Sequence, residues 1–75
     1  MKQVKVRGFR FESAREAVET AKASGTGQAI TIAGQTLIVT REEADRLAAE
    51  GVSFAYLCVG EMPDGTTRIV TVPVN

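Results

Sequence analysis

Histidine and tryptophan are absent from this 75-residue chain, and cysteine occurs once. Without histidine there is no imidazole base for Ser-His-Asp or Cys-His catalysis, and haem and the common zinc sites lose their usual ligand. One cysteine cannot form an intramolecular disulfide. No apolar run approaches the ~20 residues of a membrane helix, and the first residues lack the apolar core of a signal peptide. Charge of one sign is also lacking, since nine Lys and Arg balance nine Asp and Glu. A neutral chain has no overall field with which to gather polyanions. The 44% apolar fraction is that of a folded rather than a disordered chain. These bounds predict a single compact domain over residues 1–75, soluble and cytoplasmic, with no metal, no cofactor and no membrane partner.

Two helix openings are written alike. Ser13-Ala14-Arg15-Glu16 and Thr40-Arg41-Glu42-Glu43 have the form of a capping box, in which the hydroxyl accepts from the third helical amide and the Glu reaches back to the cap's own N–H. Gly25 and Gly51 follow as left-handed C-terminal stops. Ala14, Ala17, Val18 and Ala21 in the first segment, and Ala44, Leu47 and Ala48 in the second, recur at helical spacing. The pattern predicts helices near 13–24 and 40–50.

The other segments read as strands. Val4 and Val6 alternate with Lys5 and Arg7, which predicts a first strand over 3–9, with Gly8 marking a bulge or a close backbone approach. A two-residue Gly34-Gln35 turn would pair Ile32 with Leu37 and Ile30 with Val39. In the second hairpin, Pro63-Asp64-Gly65 is a turn with glycine in the left-handed position. Pairing Met62 with Thr66 sets Cys58 opposite Val70, Tyr56 opposite Val72, Leu57 opposite Thr71 and Val59 opposite Ile69.

The resulting order is β-α-β-β-α-β-β, and the two capped units form a weak internal repeat. Its first six elements resemble the ferredoxin-like, split β-α-β arrangement. That resemblance implies an α+β fold with an antiparallel sheet, both helices on one face and, with the last strand added by its hairpin, a strand order 5-4-1-3-2. A variant keeps the elements but lets the second hairpin reach across to a partner chain.

Two function classes follow. If both helices lie on one face, the other bears Ile38, Ala55, Leu57, Val59 and Ile69 uncovered, an interface for a homodimer or another protein. The predicted function is then a small non-enzymatic interaction module. The alternative is single-stranded nucleic-acid binding through the basic N-terminal segment, with Lys5, Arg7 and Arg10 meeting phosphates and Phe9 stacking on bases. The third strand lacks the aromatics of an RNA-recognition motif, which weighs against that alternative. Cys58, between Leu57 and Val59, has no cation or imidazole nearby in sequence to activate it and reads as a small hydrophobe. No acid is paired with an acid/base partner, so no catalytic residue is predicted.

Overall fold

A computed structural model describes residues 6–75. It contains β1 (Phe9–Phe11), α1 (Ala14–Ser24), β2 (Gly27–Ile32), β3 (Gln35–Thr40), α2 (Arg41–Ala49), β4 (Phe54–Glu61) and β5 (Thr67–Val74). The order of elements is the expected one. Both caps form: the Ser13 hydroxyl accepts from the Glu16 amide at 3.4 Å and that of Thr40 from the Glu43 amide at 3.1 Å. Gly25 ends α1 at φ 71°, its amide donating to the Ala21 carbonyl at 3.0 Å. After α2, the Gly51 amide donates to Ala48 and the Val52 amide to Leu47. This is the paired bonding of a Schellman stop, with Val52 packed into the core beside Leu47.

All strands pair antiparallel in the order β1-β3-β2-β4-β5, not 5-4-1-3-2. β1 is an edge, paired only with β3 among the described residues. β1 and β2 run parallel across the intervening β3, and β3 and β4 run parallel across β2. A helix joins each pair by stepping over one strand. Both steps go the same way across the sheet, yet their strands point in opposite directions. Right-handed crossovers then require the two helices to lie on opposite faces. In the ferredoxin-like order the second step runs back, which returns its helix to the first face.

The packing follows that requirement and corrects the expectation of helices on one face. Ala17, Val18 and Ala21 of α1 cluster with Ala29 and Leu57, flanked by Phe11, Ile38 and Ile69. Ala44 and Leu47 of α2 cluster with Ile30, Leu37, Val39 and Phe54, flanked by Val6, Tyr56 and Val74. Neighbours such as Ala29 and Ile30, or Leu37 and Ile38, divide between the clusters, as alternation along a strand dictates. The sheet is the middle of three layers. Ala17 and Ala44, each four residues after its cap Ser13 or Thr40, are both buried and let each helix lie close to its face.

The first hairpin turns one residue earlier than expected. Ala33 and Gly34 take φ 50° and 77° and Ile32 pairs with Gln35, the geometry of a type I′ turn, whose twist matches that of the strands. Ile30 therefore faces Leu37 rather than Val39. The slip is two residues in register, so each face keeps its side chains. The second hairpin has the expected register throughout, with Cys58 opposite Val70 and Val59 opposite Ile69. Its turn closes through Met62 and Thr66 at 2.7 Å, with Gly65 at φ 89°.

Of the strand expected over 3–9, residues 3–5, Val4 and Lys5 among them, lie outside the described residues, and 6–8 are not in the ladder. Val6 packs toward α2, and the ladder begins at Phe9. Gly8 is a close approach: a Cβ there would lie 2.6 Å from the Ile38 carbonyl oxygen. The Arg7 amide is held by the Glu43 carboxylate at 2.7 Å instead of by a strand. Glu43 is correspondingly turned away from the reciprocal capping-box bond expected of it.

Candidate interaction surfaces

The face expected to be open lies under α1. Leu57 retains 5% exposure in the α1 cluster, so it is not available to a partner and is removed from the interface. Ile38 and Ile69 pack at the margin of that cluster and Ala55 is half-buried. Val59 is exposed, at 43%. The apolar residues on both faces of β4 have an intramolecular cause, one helix on each side. Toward the outer edge that cover thins: Val59 is exposed beside α1 and Ile69 sits at the margin of its cluster on one face, with Cys58 and Val72 at the margin of α2 on the other.

That outer region is a ribbon. Eight residues of β4 pair with β5, but β4 is registered to β2 only at Tyr56 and Ala55. The molecule accordingly extends 45 Å in its longest dimension against 23 and 20 Å in the others. The base of the ribbon is tied down. Ser53 Oγ donates to the Asn75 carbonyl at 2.8 Å, and Asn75 Nδ2 donates to the Ala48 and Val52 carbonyls. The tip is secured by Asp64, whose Oδ1 accepts from the Thr66 amide at 3.0 Å and its hydroxyl at 2.6 Å. Those two bonds also lower the Asp64 pKa. An isolated two-stranded ribbon is only marginally stable in water, so this one is stiffened at both ends.

The basic N-terminal residues separate. Lys5 lies outside the described residues. Arg7 and Arg10 border an open groove of about 680 Å³ between β1 and α1, with Ile38 in its lining and Thr20 and Ser24 on the α1 side. Phe9, on the same groove, is 78% exposed, whereas Phe11 packs against the α1 cluster. Phe9, registered with Ile38, lies on the α1 side of the sheet, and Arg10, registered with Leu37, on the α2 side, so the exposed ring and this cation share an edge but not a face.

Sequence reasoning missed a buried, fully hydrogen-bonded carboxylate. Glu43 keeps 9% exposure. Its two oxygens accept from Arg46 Nε and a second guanidinium nitrogen, both at 2.8 Å, as well as from the Arg7 amide. Arg46 also pairs with Glu50. The guanidinium and the amide together lower the Glu43 pKa from 4.5 to about 2, against the opposing effect of burial. The (i, i+3) spacing of Glu43 and Arg46 was the available signal; the approach of Arg7 was not visible in the sequence. With every carboxylate oxygen occupied, this cluster is a clasp between α2 and the segment leading into β1.

Among the described residues, no group of three or more His, Cys, Asp or Glu is placed to hold a metal, and no helix is long and apolar enough to cross a membrane. Cys58 is free and half-buried. Comparison with protein-family models, curated proteins and solved structures finds no match.

Proposed function

We propose that the chain is a small non-enzymatic interaction module that self-associates through the β4–β5 ribbon, with Val59 and Ile69 at its apolar centre. The observation that carries this reading is the β4–β5 ribbon, aliphatic on both faces and paired to β2 over only part of its length, with Val59 left exposed and Ile69 only partly covered at the margin of α1. A non-enzymatic role is supported by the lack of histidine and by the engagement of Glu43 in a structural clasp. Full burial of an exposed aliphatic contributes roughly 1.5–3 kcal/mol, and association costs ~4–15 kcal/mol in rigid-body freedom. Two copies bring four such side chains, already partly covered, so the patch needs help from its neighbours. Sedimentation over a concentration range is expected to show a dimer at tens to hundreds of micromolar. Val59→Lys should weaken it by at least tenfold, since a charge would have to be buried at the contact. A wild-type chain that stays monomeric at high micromolar concentration would overturn the reading.

A second reading rests on the exposure of Phe9 and Arg10 along the β1 edge: single-stranded nucleic acid held along the N-terminal edge. Fluorescence anisotropy with single-stranded RNA and DNA at low salt then rises to saturation. Binding falls steeply with salt, and Phe9→Ala weakens it by about 1–3 kcal/mol per stacked base. A flat titration retires this reading and leaves the first intact.

A further inference from the structure

The two edges of the sheet are treated differently. β1 is three residues long, a length that offers little to pair with. β5 is eight residues long, and none of the described residues pairs with its outer side. Short strands, inward charges, bulges and proline are the devices that usually blunt an edge. On β5 the sole proline is Pro73, near its end.

Which β5 groups face outward follows from the hairpin. The bond from the Met62 amide to the Thr66 carbonyl fixes the hydrogen-bonded pairs, and antiparallel alternation carries them along the ladder. Arg68, Val70, Val72 and Val74 thus spend their amides and carbonyls on β4. Thr67, Ile69, Thr71 and Pro73 direct theirs outward. Proline therefore sits in the set where a missing N–H costs the β4–β5 ladder nothing. The remaining three, Thr67, Ile69 and Thr71, are symmetric about Ile69.

Building on the self-association proposed above, we infer that the occupant of this edge is β5 of a second copy, antiparallel, with the two-fold axis at Ile69. Thr67 then faces Thr71 of the second copy, Ile69 faces its counterpart and Thr71 faces Thr67. Each of the three outward amides finds a carbonyl, and Pro73 falls beyond the paired stretch. Arg68 meets Val70 of the other copy rather than a second Arg68, so no like charges are set directly opposite. Two Ile69 and two Val59 side chains form one apolar strip across the junction, and the main-chain hydrogen bonds of the paired edges add what those side chains alone lack. The chain carries no net charge, so two copies approach without overall repulsion.

Proline at an outward position tests the pairing without breaking the monomer, as Pro73 already shows for the same set. Thr71→Pro is expected to keep the circular dichroism of the wild type and to weaken the dimer at least tenfold in sedimentation. In a Cys58→Ser background, Ile69→Cys should cross-link two copies on mild oxidation, because only the residue on the axis meets itself. Thr67→Cys and Thr71→Cys should not, being about 13 Å from their own counterparts at ~3.3 Å per residue. A dimer that survives Thr71→Pro, or one that cross-links through Thr67→Cys or Thr71→Cys instead of Ile69→Cys, overturns this register while leaving ribbon-mediated association standing. A monomeric wild type overturns the association itself. Should Thr71→Pro fail to fold, the cross-linking pattern decides alone.

Discussion

Replacing Leu47 with alanine is expected to lower the melting temperature by at least ~8 °C. Leu47 has no solvent exposure and packs with Ile30, Leu37, Val39 and Phe54. It is the one bulky apolar residue of α2; the rest of that buried stripe is Ala44 and Ala48. Alanines cannot collapse into the space it leaves, so the full cost of a cavity applies, roughly 2–5 kcal/mol. A chain of 75 residues has only ~4–11 kcal/mol of stability at ~0.05–0.15 kcal/mol per residue. Each kcal/mol is worth ~4–8 °C at this size. Val18→Ala, under α1, should cost less because fewer atoms are removed. The two residues belong to separate clusters on opposite faces, so their effects should add to within ~0.5 kcal/mol in the double variant. Thermal melts of the three proteins check both claims. An L47A protein melting within ~3 °C of wild type would mean that α2 is not seated on the sheet.

That arrangement of faces marks where the sequence stops being legible. The elements bounded by local chemistry were readable: Ser13 and Thr40 as caps, Gly25 and Gly51 as stops, and the Pro63-Asp64-Gly65 turn with its whole register. Each of those signals acts within a few residues. Strand order instead depends on which way the second crossover steps, and no residue in 40–54 encodes that direction locally. The apolar content of both faces of β4 was visible, but its meaning depended on strand order. With helices on one side, Leu57 and Val59 read as an open patch. With a helix on each side, the near-continuous run Phe54-Ala55-Tyr56-Leu57-Cys58 is the mark of a strand buried on both faces. That residues 6–8 stand outside the ladder has a similar origin. Alternation of valine with cations suits a strand equally well as a segment whose valine packs on a helix, and the choice was made by Glu43, distant in sequence.

Glu43→Gln is expected to destabilise the protein by about 1.5–2 kcal/mol at neutral pH, and the difference from wild type should vanish in acid. The glutamine can still accept hydrogen bonds but brings no charge to Arg46. A hydrogen bond to a charged group contributes ~1.5–3 kcal/mol, and the lower part of that range applies because Arg46 is 42% exposed and its attraction is screened. The pH dependence follows from protonation. In the folded chain the Glu43 pKa is lowered from 4.5 to about 2 by the Arg46 guanidinium and the Arg7 amide. Between those values the unfolded chain binds the proton and the folded chain does not, so stability rises with pH across that interval. The contribution is complete above about pH 4.5 and disappears as the pH falls toward 2. Other carboxylates also titrate there, so the informative quantity is the gap between wild type and variant, in which their effects cancel. Urea midpoints at pH 7, 5 and 2.5 should give a gap that is the same at 7 and 5 and largely closed at 2.5. Because the carboxylate holds the Arg7 amide, amide exchange of Arg7 should quicken in the variant at neutral pH by more than global unfolding alone accounts for. A gap that persists unchanged at pH 2.5 would mean that the ionised carboxylate is not what clasps α2 to the start of the sheet.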